Sequence, residues 1–257
     1  MSTKLKFVTA PVQGVIRRFF QRFGYEIVKM GSDYNVDERD IMIRVKPFTA
    51  TGPERISGLI QAVKYLCRNR IEGDFVECGV WRGGSMMAAM LTLLQSGDTS
   101  REFYLYDTYE GMTPPTDKDL TFNNDRAADL LAATEKDKEG HSFWCVADLE
   151  DVQKNVFSTG YPRDKIHFVK GRVEDTLPAT MPAKIALLRL DTDWYESTYH
   201  ELVHLYPLLC SNGVLILDDY GFWQGSRKAV DEYFAQQARV PLLNKLDFSG
   251  RLAIKLT

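Results

Sequence analysis

At 257 residues the chain is long enough for one large domain with a well-buried core and short for two. Hydrophobic residues make up 44% and charged residues 26%, which excludes a disordered or fibrous chain and fits an ordinary globular one. A formal net charge of −3 argues against a nucleic-acid binder that works by neutralising phosphates.

Residues 1–30 differ in composition from the rest. Lys4, Lys6, Arg17, Arg18, Arg22 and Lys29 are opposed only by Glu26, while Val12, Val15, Ile16, Phe19, Phe20 and Phe23 supply an apolar stripe. The stripe predicts a helix over 11–23, with Pro11 in its first turn and Gly24 just past its end. Such a basic amphipathic helix can lie on a membrane surface or pack on a partner. Packing on its own domain or on a second subunit is the simpler reading. A polar stretch at 31–40 suits a mobile connection.

From there the pattern alternates. Ile56, Leu59, Ile60, Val63 and Leu66 recur at helical spacing and predict a helix over 54–70, entered through Gly52-Pro53. A strand over 75–78, a helix over 85–95 and a strand over 103–106 follow. The segment 107–142 is long and polar, marked by Pro114-Pro115, with a helix near 126–134. A helix over 149–158 and strands over 166–169 and 185–190 come next. Then come a helix over 198–209, a strand over 214–217 and a helix over 226–238. Two strand-like runs, 241–246 and 251–256, are joined through Ser249-Gly250 as a β-hairpin. The alternation predicts an α/β fold, a mostly parallel sheet with helices on both faces and the hairpin as an antiparallel edge.

Cys67, Cys78, Cys145 and Cys210 are scattered, with no CxxC, and read as reduced thiols rather than a disulfide frame or zinc site. No run approaches the roughly 20 apolar residues of a membrane helix. The N-terminus lacks a signal-peptide pattern, so the expected compartment is the cytoplasm.

Two places carry chemistry. The predicted strand 75–78 runs into Gly79, Val80, Trp81, Arg82, Gly83, Gly84 and Ser85 before a helix begins. Glycines there let the backbone turn tightly against a ligand, and the following helix offers free N–H groups. Such a loop can hold a dinucleotide pyrophosphate or the amino-acid portion of S-adenosylmethionine. The spacing is not GxGxxG, which counts against the dinucleotide. Glu77 at the strand end suits an ammonium group, and Asp107, at the end of the next strand, suits ribose hydroxyls. A purely structural turn and a solvated Asp107 are the alternatives.

The second place is acidic. Asp191-Thr192-Asp193 and Asp218-Asp219 each follow an apolar run, so two strand ends gather four carboxylates in one crevice. Carboxylates so crowded repel unless some protonate or a cation neutralises them. Asp191, Asp218 and Asp219 offer the oxygen ligands preferred by Mg²⁺, and Asp193 has the parity to face the same crevice as a general base. His200 and His204 sit one turn apart but lack the companion Glu of a zinc helix, and read as helix residues. Ser197 and Thr198 are placed to cap that helix.

These motifs together resemble a known family. Phe75-Val76-Glu77-Cys78-Gly79-Val80-Trp81-Arg82-Gly83-Gly84, Tyr106-Asp107-Thr108-Tyr109-Glu110-Gly111-Met112, Leu188-Arg189-Leu190-Asp191-Thr192-Asp193-Trp194-Tyr195-Glu196-Ser197-Thr198 and Leu217-Asp218-Asp219-Tyr220 are similar to the TylF/MycF family. Its members are S-adenosylmethionine- and Mg²⁺-dependent O-methyltransferases of deoxysugar hydroxyls in natural products. The resemblance spans roughly residues 33–240. It implies a class I methyltransferase, Rossmann-like, with a seven-stranded, mostly parallel sheet and an antiparallel final strand. Carried over by position, it makes Asp191, Asp218 and Asp219 the metal ligands and Asp193 the general base. Glu77, Gly79, Trp81, Gly83, Ser85 and Asp107 fall at the cofactor site. Thr192 departs from a frequent Gly. The resemblance further implies a sugar or glycoside acceptor, an extension over 1–50 ahead of a methyltransferase domain over 51–257, and a homodimer through the N-terminal region. Residues 31–51 are a candidate lid. A catechol-type O-methyltransferase and a non-catalytic adenosyl-binding module are the other readings.

Overall fold

The computed structural model describes residues 34–136 and 142–257. The apolar runs become five parallel strands: β1 (Asp74–Cys78), β2 (Phe103–Asp107), β3 (Ile166–Lys170), β4 (Ile185–Leu190) and β5 (Leu209–Leu217). The hairpin supplies β6 (Asn244–Lys245) and β7 (Arg251–Ile254), and β7 runs antiparallel to β5. The order is β3-β2-β1-β4-β5-β7-β6, so the chain builds outward from β1 on one side and resumes on the other at β4. That reversal opens a crevice beyond the carboxyl ends of β1 and β4, where open α/β sheets bind ligands.

Alternation along each strand divides the core. Phe75, Phe103, Leu105, Leu187, Val214 and Ile216 face one layer, covered by α1 (Val36–Val45), α2 (Pro53–Arg68), α3 (Gly84–Gln95) and α5 (Leu149–Phe157). Val76, Cys78, Tyr106, Leu188, Leu190, Leu215 and Leu217 face the other, under α7 (Tyr195–Leu205) and α8 (Gln224–Ala235). Two shorter helices, α4 (Ala127–Ala132) and α6 (Val173–Thr176), lie in the connections. The expected class I methyltransferase sheet is the one observed.

Several local expectations are corrected. The stretch 31–40 is not a mobile connection throughout, because Val36 onward is α1. Its charge run hides Ile41 and Val45, one turn apart and buried in the first layer. Glu38 is also buried, bonded to Gln61 and to Lys64 at 2.8 Å. The helix expected over 198–209 begins at Tyr195, so Ser197 and Thr198 lie inside its first turn and do not cap it. Pro207 stands just beyond, and Leu209 already belongs to β5. The strand over 241–246 shrinks to two residues. The helix expected over 11–23 and the subunit contact assigned to it lie outside the described residues.

One backbone contact fixes the crevice. Gly79, which follows β1, has φ +81°, and a Cβ there would meet the Asp191 carbonyl oxygen at 1.9 Å. The two strand ends thus touch main chain to main chain, and Asp191 N–H donates to Cys78 O at 2.9 Å beside them. Gly79→Ala adds both a left-handed non-glycine and a clash, at a cost on the order of 3 kcal/mol. The melting temperature is expected to fall by roughly 6–12 °C, measured by calorimetry; an unchanged melting temperature would contradict the contact.

Candidate active site

Beyond the ends of β1 and β4 lies a cavity of about 250 Å³. Gly79, Trp81, Ser85, Asp107, Asp191, Asp193, Asp218 and Asp219 all line it, so the structure brings both chemical segments to one place. Phe48, Thr49, Ala50 and Thr51, from the connection between α1 and α2, form a further wall. Gly83 and Glu77 do not line the cavity. Gly83 caps α3 with φ +89°, tucked beneath Val156.

On the loop side, Asp107 holds the backbone. Its Oδ2 accepts from the N–H groups of Val80 at 2.7 Å and Trp81 at 3.0 Å, and its Oδ1 from that of Tyr109 at 2.7 Å. Burial raises its pKa, and these donors work against the rise. The side chain expected to meet ribose hydroxyls therefore also fixes the shape of the loop. Ser85 sits at the start of α3, where N–H groups lack intrahelical partners. Trp81, Cys145 and Asp193 take φ of +44°, +46° and +68°. Strained residues of this kind persist only where surrounding packing holds them.

On the acidic side, the arrangement centres on an arginine absent from the expected set. Arg189, inside β4, is 2% exposed. Its Nη1 lies 2.6 Å from Glu77 Oε1 and 2.7 Å from Asp191 Oδ2, and its Nη2 lies 2.6 Å from Asp218 Oδ1. It also donates to Thr51 Oγ1 at 3.0 Å. Glu77 and Arg189 are register partners on adjacent strands, so Glu77 pairs with the guanidinium one layer behind the cavity. Burial pushes the Glu77 carboxyl up to about 7 despite that partner. Arg55 of α2 engages Asp218 Oδ2 and reaches Asp247 at 2.9 Å. Both oxygens of Asp218 thus face arginines. The signal was present in the chain: a charged residue within a buried apolar strand must have partners.

The carboxylates that converge most closely are Asp191, Asp193 and Asp219, with one oxygen of each within 4.8 Å of the others. Burial raises the pKa of all three, and their mutual repulsion adds to it; Asp193 is pushed up to about 7. Hydrogen bonds with Asp219 and Trp223 hold Asp193 back from a larger shift. Beneath the turn, Glu201 of α7 is fully buried and accepts from Thr192 Oγ1 at 2.9 Å. Burial pushes the Cys145 thiol up to about 12, which keeps it unreactive at the wall.

The sheet, the glycine loop and the acidic turn agree with the known proteins the chain matches. The Macrocin-O-methyltransferase (TylF) family profile matches residues 17–252. The chain belongs to that family. It is 33% identical over 202 residues to an 8-demethyl-8-(2,3-dimethoxy-alpha-L-rhamnosyl)-tetracenomycin-C 4'-O-methyltransferase of Streptomyces olivaceus, across 79% of this chain and 73% of that one. Over 185 residues it is 31% identical to Mycinamicin III 3''-O-methyltransferase of Micromonospora griseorubida, across 72% and 69%. Among solved structures, the O-methyltransferase NovP superposes with a TM-score of 0.68 at 29% identity, across 82% of this chain and 83% of that one. The protein is an O-methyltransferase with the class I fold. No helix among the described residues is long and apolar enough to cross a membrane.

Oxygen donors crowded this closely, with raised pKa values, fit a hard divalent cation. A cation displaces the protons that such groups carry near neutral pH. Mg²⁺ added to weakly buffered protein near pH 7 is expected to release protons. Its affinity is expected to weaken as pH falls, because Asp191 and Asp219, whose carboxyls burial holds above the usual range, take up protons. Calorimetry in buffers of different ionisation enthalpy checks this, and affinity constant between acidic and alkaline pH would contradict it.

Proposed function

We propose that this enzyme transfers the methyl group of S-adenosylmethionine to a hydroxyl of a sugar or deoxysugar, with Mg²⁺, in natural-product or polysaccharide biosynthesis. The observation that carries the proposal is one cavity walled on one side by the Gly79–Ser85 loop and on the other by the acidic turn. A relative named as the 4'-O-methyltransferase of a rhamnosyl-tetracenomycin supports it.

An alkyl hydroxyl is a weak nucleophile, with a pKa near that of water at about 15.7. S-adenosylmethionine supplies an electrophilic methyl group, and a divalent cation supplies charge that favours the ionised acceptor oxygen. Asp191, Asp218 and Asp219 are the residues proposed to hold the cation. A carboxylate has about four lone-pair sites, so Asp218 can face an ion while keeping its arginines. Asp193 accepts the proton of the acceptor hydroxyl as the new C–O bond forms and the C–S bond breaks. Asp107 holds the loop that would carry the donor, and the wall at Phe48–Thr51 would limit water at the site. We extend the proposal to residues 1–50 as a lid-bearing extension of a methyltransferase domain over 51–257, with its basic amphipathic stripe forming a homodimer contact in the cytoplasm.

With S-adenosylmethionine and a panel of deoxysugar glycosides and catechols, methyl transfer to the glycosides is expected, and transfer to catechols alone would contradict the sugar reading. Asp193→Asn is expected to lower kcat by about 10²- to 10⁴-fold with Mg²⁺ affinity largely kept. Asp218→Asn is expected to weaken Mg²⁺ binding by roughly 10- to 100-fold. Full turnover in excess chelator would remove the metal from the scheme.

A further inference from the structure

Asp193 stands on a strained turn. Trp194 N–H donates to Thr192 O at 2.8 Å, which closes a three-residue turn with Asp193 at its centre and φ +68°. This is the rare hand of the γ-turn, which a residue with a side chain keeps only where its neighbours are held. Asp191 and Asp218 stand on firmer ground. They continue β4 and β5, and their N–H groups donate to Cys78 O at 2.9 Å and Leu190 O at 3.0 Å.

The residues after Asp193 are held from the long connection that follows β2. Trp194 precedes the first residue of α7, yet its side chain gives the helix no cap. The cap comes from Asp119, 76 positions earlier, whose Oδ1 accepts from Tyr195 N–H at 2.8 Å. Asp119 is fully buried, and its Oδ2 accepts from the N–H of Thr116 at 2.7 Å and from its hydroxyl at 2.9 Å. The carboxylate is thereby fixed in orientation. Thr113 O, in the same segment, accepts the Trp194 indole N–H at 2.9 Å, and Lys118 lies 3.5 Å over the Tyr195 ring. Ala127 N–H donates to Asp119 O at 3.0 Å, which joins the segment to α4. Gly225, in the first turn of α8, leaves room for the carboxylate, because a Cβ there would strike Asp119 Oδ1. Asp119 itself does not line the cavity.

We propose that Asp119 is a positioning residue for methyl transfer. By capping α7 from outside the helix it keeps the Thr192–Trp194 turn closed and the Asp193 carboxylate aimed at the acceptor hydroxyl. This rests on the reading of Asp193 as the general base. Without the cap the turn opens and Asp193 moves, while the Gly79 loop, Asp191, Asp218 and Asp219 keep their places at the strand ends.

The test compares the full-length native enzyme with D119A, D119N and G225A. Transfer is followed with S-adenosylmethionine, Mg²⁺ and the deoxysugar glycoside of the panel that the native enzyme methylates fastest. D119A is expected to lower kcat by about 10- to 100-fold, with the KM for S-adenosylmethionine and the affinity for Mg²⁺ kept. An amide oxygen can still accept from Tyr195 N–H, so D119N is expected to hold kcat within about threefold of native. In G225A the new Cβ displaces the Asp119 oxygen although alanine suits the helix, so kcat falls as in D119A. Adding G225A to D119A is expected to cost nothing further, because both act through one oxygen. Hydrogen exchange of the Trp194 amide, which closes the turn, is expected to quicken in D119A and G225A and to stay native in D119N. Native kcat in D119A, D119N as slow as D119A, or unchanged Trp194 exchange overturns the inference. If D119A fails to fold, G225A and D119N decide by the same two readouts. Failure of the underlying reading shows separately, as no transfer to any sugar by the native enzyme, and hydrogen exchange then decides whether Asp119 holds the turn.

Discussion

The guanidinium of Arg189 is the constraint on which the crevice depends. Three carboxylates, on Glu77, Asp191 and Asp218, lie within 2.7 Å of its nitrogens at the ends of buried strands. Carboxylates withdrawn from water without a partner would take up protons or push the strand ends apart. An arginine is suited to the task because it stays charged and spreads its donors over a planar fork. Its burial alone would lower its pKa, yet Asp191, Asp218 and Glu77 more than reverse that effect and raise it. A buried network of this kind is weak evidence for net stability, but loss of one member leaves the others uncompensated.

The same contact explains how two chemistries meet. Gly79 and Asp191 touch through their backbones, so the glycine loop and the acidic turn share one wall. Arg189 then ties Glu77 behind the loop to Asp191 and Asp218 beside it, and ties both to Thr51 in the overlying segment. Arg55 continues the charge pattern to Asp247, whose Oδ1 accepts from Ser249 N–H at 2.9 Å and Gly250 N–H at 2.6 Å in the hairpin turn. The hairpin that closes the sheet thereby braces Asp218. Asp191, although paired with Arg189, joins Asp193 and Asp219 in a close trio with raised pKa values, so the arginines answer only part of the charge problem.

The strands and their acidic ends were legible in the sequence because parallel strands are apolar on both faces and the crevice lies where such runs stop. The glycine loop was legible for the same reason, a sharp change from buried strand to backbone-rich turn. Arg189 stands within a family-like motif, but its role was not legible, because it sits between Leu188 and Leu190 in an otherwise apolar run. Its meaning depends on Glu77, 112 positions away, which becomes its neighbour only through strand register. The helix α1 was hidden by a charge run whose Glu38 is buried against α2. Glu201, which the helical pattern alone does not single out, is fully buried where the Thr192 hydroxyl of the turn above meets it. In each case the missing information was a long-range partner, which local periodicity does not carry.

The central claim is that methyl donor, cation and base share the crevice at the β1/β4 switch point. Anomalous diffraction from crystals grown with Mn²⁺ and S-adenosylhomocysteine tests it most directly. The account expects a manganese peak within ligand distance of Asp191 and Asp219, with the homocysteine portion on the Gly79 loop and Asp193 facing the space between them. A peak elsewhere on the protein, or a cofactor bound away from that loop, would contradict it.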